Sequence, residues 1–350
     1  MLTRRTFIAL SGAALTAPAW QWMDAPTPTL AAVARDTGPV SEEVLALVES
    51  IVTGAQRMDE QQGSAAAAFV ADQFACVAHL LRHAGYDASA GQRLCAALAQ
   101  LAQTAGFMAY DSARDGEAQR WYLTGLHAAH SAGDRALAAS ILGLMSNQAT
   151  TLGTTGDALH LAAAAQEAAR DTPPAVQALI AARSGLAYAT AGDLAGFHRT
   201  REHTLAMIER TERHPDQAPR WASYVTRTEL DAIAGRGLVA MARRAPGRRH
   251  RHLLTDAEGL LRGRALDPTR AHQRSALRHG VWLGLAYTHS GDLDQAVIAG
   301  RNAVDRLPAV TSLRCVALLR ELRDDLAPHA HRDHGVRDLV TDLNRKLPTA

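Results

Sequence analysis

The sequence predicts an all-α chain built as a right-handed superhelical array of antiparallel helix pairs, and three observations carry that expectation. Residues 284–308, GLAYTHSGDLDQAVIAGRNAVDRLP, read as one helix, a turn and a second helix, with small residues placed where two helices must lie close together. The stretch GLAYATAGDL at 185–194 repeats GLAYTHSGDL at 284–293, identical at seven of ten positions. Runs with period-two alternation and β-branched enrichment are scarce, so strands have little support.

The repeat resembles the tetratricopeptide unit. Gly284, Tyr287, Ala296, Ala303 and Pro308 stand at the offsets that unit uses for inter-helix packing and for ending its second helix, and Gly185 and Tyr188 repeat the first two. Gly106 with Ala118, the Gly133-Asp134 pair before an Ala-rich run, and residues 153–165 keep part of the pattern. Gly106, Ser146 and Gly185 recur at about 40 residues, longer than the roughly 34 of the ideal unit. Each unit buries its apolar face on a neighbour, so one continuous domain over 41–350 is expected rather than two.

Taken in order, residues 1–40 form an apolar, twin-arginine-like segment followed by a linker with three prolines over 24–40. Ser41 is suited to cap the first helix, with Glu42 and Glu43 in its first turn. Val44, Leu45, Leu47, Val48, Ile51 and Val52 make its stripe, and EQQGS turns the chain. A second helix over 65–83 presents Phe69, Val70, Phe74, Val77, Leu80 and Leu81. Helices follow over 89–105, 113–131, 134–152, 156–170, 174–191 and 194–212, each closed by a Gly, Gly-Asp or Thr-Pro-Pro breaker. The next, over 218–243, is opened by Trp221 and Tyr224. MARRAPGRRHRHLL reads as a basic loop, after which helices are expected over 253–264, 268–290, 293–306 and 311–326, with 336–347 as a capping segment.

Charge and cysteine content narrow the function classes. The net charge is +2, so no global field argues for nucleic acid or membrane. Cys76, Cys95 and Cys315 lack paired metal spacing and read as small core residues, with a Cys76 to Cys95 contact as the sharper alternative. The sequence has no G-x-S-x-G elbow, P-loop or H-E-x-x-H, so no catalytic residue, no metal site and no cofactor is expected. His329, His331 and His334 with Asp333 form the most metal-like cluster, in a hydrophilic segment that reads as a solvated turn. Arg243, Arg244, Arg248, Arg249, His250, Arg251 and His252 suit phosphate binding, but without interleaved aromatics they read as a solvated loop.

Binding residues are sought instead on the inner helices. Asn147, Arg183, Tyr224 and Arg274 are polar positions on otherwise apolar stretches, and an inward arginine suits a peptide carboxylate or a phosphate. The competing expectation is that Arg183 and Arg274 pair with acids such as Asp231 or Glu229. Trp121, Trp221 and Trp282 are expected to anchor packing.

From Trp20 onward the order of QRMDEQQG, AQLAQTAGFMAYDSARDGEAQRWYLTGLHAAHSAGDRALAASILGLMSNQATTLG, ARSGLAYATAGD and QRSALRHGVWLGLAYTHSGDLDQAV resembles the tetratricopeptide-repeat effector region of actinobacterial XRE-type helix-turn-helix transcriptional regulators. In that group RRTFIALSGAALTAPAWQW joins a DNA-binding domain to the array; this sequence carries no such domain ahead of this run, and a stand-alone effector module, a start lying upstream and an exported chain are the readings that fit. The resemblance implies a cytoplasmic sensor or effector domain. It would bind a peptide, small signal or protein partner in a concave groove, with a homodimer possible and without direct nucleic-acid or membrane contact. The alternative is a helical-repeat scaffold exported through the twin-arginine pathway; an enzyme without a recognisable motif is the third reading.

Overall fold

The computed structural model describes residues 12, 40–244, 248–269 and 272–347, with the side chains of 248 and 249 left aside. The expected N-terminal segment and linker therefore lie outside the described residues, Gly12 and Val40 excepted. The described chain is an all-α array: α1 Glu42–Gln62, α2 Ala67–His83, α3 Ala88–Asp111, α4 Asp115–Ala132, α5 Arg135–Thr151, α6 Thr155–Ala169, α7 Pro174–Ala191, α8 Leu194–Arg213, α9 Arg227–Arg244, α10 Arg248–Ala265, α11 Gln273–Ser290, α12 Leu293–Arg306, α13 Leu313–Leu326 and α14 His334–Lys346.

Sequential helices pack as antiparallel pairs, most closely α3 with α4, α5 with α6, α7 with α8, α9 with α10 and α11 with α12. The odd-numbered helices also pack on one another, α5 on α7 and α7 on α9, as an inner layer. At the start of the array Val40 N–H donates to the Gly85 carbonyl at 2.7 Å, bringing the entry of α1 to the exit of α2. Arg93 on α3 then pairs with Glu42 and Glu49 on α1, both at 2.7 Å, and Gln56 further along α1 donates to Gln100 further along α3 at 3.3 Å, so the two helices run parallel.

A recurring Gly-Asp dipeptide joins two of the pairs, α7 to α8 and α11 to α12, and links α4 to α5. Gly133, Gly192 and Gly291 have φ of 68°, 80° and 89°, the left-handed backbone that closes a helix and that residues with a Cβ adopt at a cost. The following Asp134, Asp193 and Asp292 accept from the backbone N–H of Leu137, Gly196 and Gln295 at 2.8, 2.8 and 3.1 Å, capping the next helix. One dipeptide thus ends one helix and starts the next.

Small residues set the separation between paired helices. A Cβ at Gly106 would sit 2.5 Å from the ring of the fully buried Tyr122, so α3 and α4 approach only because none is there. Ala118, Ala296 and Ala303 are almost wholly buried, Gly185 and Gly284 lie against Thr200 and Leu322, and Pro308 sits in the 3-10 turn that follows α12. Tyr287 is buried and Tyr188 half-buried. At the end of the stack α14 buries Val336, Leu339 and Leu343 against its neighbours.

Several expectations are corrected. The third helix continues to Asp111, so Gly106 lies inside it rather than at its end. Trp221 sits in a 3-10 turn and Tyr224 follows it; α9 opens only at Arg227, where Pro215 and Pro219 upstream have released the chain from helix. The stretch read as a basic loop is largely helical: α9 runs through Arg244, α10 begins at Arg248, and the Pro246-Gly247 pair between them lies outside the described residues. Arg243 is not free for phosphate but pairs with Glu321 and with Asp325, the latter at 3.1 Å. Cys76 is exposed, whereas Cys95 and Cys315 are buried, and none is bridged.

The array does not stay open. Ser312 Oγ donates to Asp111 Oδ1 at 2.8 Å, Arg314 Nε donates to the Tyr110 carbonyl at 3.0 Å, and the Arg314 guanidinium pairs with Asp115. These contacts bring the segment entering α13, and α13 itself, onto the end of α3, about 200 residues earlier, so the inner layer curls into a ring.

Candidate functional site

The curled inner layer forms a cavity, open on one side, of about 240 Å³ whose lining comes from the inner helices α1, α3, α5, α7, α9 and α11, from the 221–224 turn and from Arg264 on α10. The side chains reach it by helical spacing. Leu179, Arg183 and Leu186 lie at i, i+4 and i+7 on α7, as Glu229, Ile233 and Arg236 do on α9, so each helix turns one stripe inward.

All four sequence-chosen residues, Asn147, Arg183, Tyr224 and Arg274, line this one cavity. Arg183 donates to the Ser140 carbonyl at 3.1 Å and to the Tyr224 hydroxyl at 3.0 Å. Its stem crosses α5 at Gly143, where an added Cβ would come within 3.1 Å of the arginine Cδ. Arg274 is paired, but with Asp59 at 2.6 Å and with the fully buried Asp111 at 3.4 Å, not with the acids expected. Asp231 is taken by Arg201, and Glu229 by Arg264 at 2.9 Å. Asn147 faces the cavity from α5.

The tryptophans pack as expected. Trp121 meets Phe74 edge-on at 5.1 Å between α2 and α4. Trp221 and Trp282 are buried in the core, where Trp221 also lines the cavity and Trp282 lies 5.8 Å, ring centre to guanidinium, from Arg236. The histidine cluster is not assembled: Asp333 caps α14 at the Val336 N–H, and among the described residues no three His, Cys, Asp or Glu side chains are arranged to hold a metal ion.

Sequence reading missed Arg236, Arg278, Asp59, Asp111 and His279, and named Glu229 only as an ion-pair partner for Arg183 or Arg274. Arg278 pairs with Asp111 at 3.2 Å, and the Arg274 and Arg278 guanidinia lie 4.9 and 5.9 Å from the Phe107 ring centre. Burial lowers the pKa of both, but for Arg274 the Asp59 and Asp111 carboxylates outweigh it, and for Arg278 Cys315, Asp111 and Tyr110 do, so both stand raised. Arg236 goes the other way. Burial pulls it down and Arg278 adds to this, against only the neutral Tyr110 hydroxyl. Among the described residues no carboxylate lies within ion-pair distance of Arg236 or Arg183.

Glu229 is the best-held acid of the cavity. Burial pushes its pKa up, but His279, Arg264 and Ser275, whose hydroxyl donates at 2.9 Å, hold it at about 2. His279, 3.7 Å from Glu229, is lowered by its own burial, which outweighs that carboxylate. Glu60 is raised, by burial first and by neighbouring Asp59 second, against His272, Arg274 and Arg57. Five arginines and three acids line the space, and the two arginines without acids are Arg183 and Arg236.

Compared with models of known protein families and with characterised proteins, the chain matches none of them. The described residues stand as an all-helical protein of sequentially packed antiparallel helix pairs. A signal for the missed residues was present: Glu229 and Arg236 share an inner stripe with Ile233, and Arg274 and Arg278, two arginines four apart on one apolar helix, point to paired acids elsewhere in the chain.

Proposed function

We propose that this chain is a ligand- or partner-binding module, a tetratricopeptide-like effector domain of a transcriptional regulator, acting inside the cell by contacts rather than by catalysis. One observation carries the reading: polar side chains from every inner helix of α1 to α11 meet in a single cavity, beside the contacts that join the two ends of the array. A ligand seated there touches helices on both sides of the closure and stabilises the closed ring over any opened one by its differential affinity. The outer surface or a dimer contact then carries that difference to a partner. The ordered resemblance of the sequence to effector regions of such regulators supports the transcription-related assignment, and the Arg and apolar run over 1–22 fits a junction to a DNA-binding partner domain.

Amide hydrogen exchange on the full chain tests the reading. Fractionated peptides and small molecules from the source cell are added to it, and the expected result is protection of α1, α9 and α11 together by one fraction, with a shift in oligomeric state or partner retention. If no fraction changes exchange along the inner helices, the cavity is not a recognition site and the proposal is wrong.

A further inference from the structure

We infer that the cavity takes a small organic monocarboxylate with an apolar body, its carboxylate held between Arg183 and Arg236. This rests on reading the cavity as the recognition site and adds the chemistry of what enters it. Three features of the space carry the inference. Arg183 spends two of its five N–H donors on the Ser140 carbonyl and the Tyr224 hydroxyl, which fix the guanidinium against α5 and leave the rest of the fork open. Arg236 lies over the neutral Trp282 ring, 5.8 Å from its centre, and among the described residues no carboxylate lies within ion-pair distance to balance its charge. A desolvated cation in that condition is costly unless an anion joins it.

The pairing pattern selects a monoanion. Arg264 is matched by Glu229 and Asp267, and Arg274 and Arg278 by Asp59 and Asp111. Two guanidinia are left with no carboxylate in contact among the described residues, and Glu60, a further acid of the lining, repels a dianion. The walls select an apolar body. Leu179 and Leu186 flank Arg183, Ile233 lies one turn before Arg236, and Leu144 and Trp221 complete the surface. A bare anion satisfies the arginines and leaves this surface wet, whereas an organic acid fills both.

The test is calorimetric titration and thermal melting of the full chain with butyrate, octanoate, phenylacetate and indole-3-acetate, each beside its primary amide, and with inorganic phosphate. The expected result is saturable binding of at least one acid, at least about tenfold tighter than its amide and tighter than phosphate. Arg236→Met is expected to lose that binding and, because an unbalanced charge is gone, to melt higher than the parent without ligand. Ile233→Trp keeps both arginines and is expected to lose the acid by filling the space. The inference is overturned if no acid binds, if acid and amide bind alike, if phosphate binds as well as the acids, or if Arg236→Met binds undiminished or melts lower. A neutral or cationic compound that protects the inner helices while the acids fail would sink this inference and leave the binding-module reading standing.

Discussion

Arg274 on α11 and Asp59 on α1, 215 positions apart in sequence, form a two-point ion pair with Nη1 to Oδ1 at 3.1 Å and Nη2 to Oδ2 at 2.6 Å. With the Arg274 and Arg278 contacts to Asp111, it fastens the first helix of the array to the eleventh. The acids involved are buried, Asp111 wholly so. Removing Arg274 strands Asp59, while Asp111 keeps Arg278 and Ser312.

Arg274→Ala is therefore expected to cost about 3–5 kcal/mol, the range for breaking one side of a buried pair. The loss should be uneven. Amide exchange of α1 and α13 should quicken more than that of α6 or α7, and small-angle scattering should report a larger radius of gyration. Uniform destabilisation with unchanged dimensions would show that the pair does not hold the ring closed.

The pH dependence follows from Glu229 and His279, with both signs in the same direction. Glu229 folds with a pKa of about 2 against an ordinary 4.5, so its contribution is complete above 4.5 and is lost as pH falls toward 2. His279 is depressed by burial from an ordinary 6.5, so the unfolded chain takes up its proton first and stability falls as pH drops below about 6.5. Chemical denaturation across pH should show a decline beginning near neutrality and steepening below 4.5. Glu229→Gln should flatten the lower part, and His279→Gln the upper part. A profile unchanged by either substitution would contradict this account.

The hairpin connections were legible because the Gly-Asp dipeptide carries its own mechanism, a left-handed C-terminus and an N-cap in adjacent residues. Helix order was legible for the same reason. The ring closure was not, because Arg274 and Asp59 have no local relation: nothing near residue 59 announces a partner at 274. Arg183 stood out as a lone cation on the apolar α7, whereas Arg236 was masked by Arg227, Arg243 and Arg244 on the same helix. The stretch at 241–254 misled because Pro246-Gly247 and clustered arginines resemble a long loop, yet the chain is helical up to Arg244 and again from Arg248.

Tyr122 offers a prediction of opposite sign from the usual core substitution. Its ring is fully buried against Gly106, but among the described residues its hydroxyl has no hydrogen-bond partner, and burial raises the phenol pKa well above its ordinary value. Tyr122→Phe should therefore be neutral or stabilising, by up to about 1 kcal/mol, since it deletes an unsatisfied polar atom and keeps the ring. Tyr122→Ala should cost about 3–5 kcal/mol by opening a cavity. Urea denaturation of both variants checks the pair, and a clear loss in Tyr122→Phe would mean that the hydroxyl has a partner after all.

The repeat itself is testable at its connectors. Asp193→Ala removes the acceptor of the Gly196 N–H and should cost about 1 kcal/mol, as should Asp134→Ala and Asp292→Ala. Gly192→Ala forces a Cβ into φ of 80° and should cost about 1 kcal/mol by strain alone, because nothing lies within 4 Å of the added atom. The sites are separated along the array, so the double variant Asp134→Ala with Asp292→Ala should lose the sum of the single losses to within about 0.5 kcal/mol. Because the ends are fastened together, opening at one connector is transmitted around the ring rather than released at a free end. Denaturation should therefore stay a single transition in every one of these variants, whereas combining Asp193→Ala with Arg274→Ala should split it into two, the behaviour of an open array whose units interact only with their neighbours. A single transition in that last variant would show that closure is not what makes the array unfold as one body.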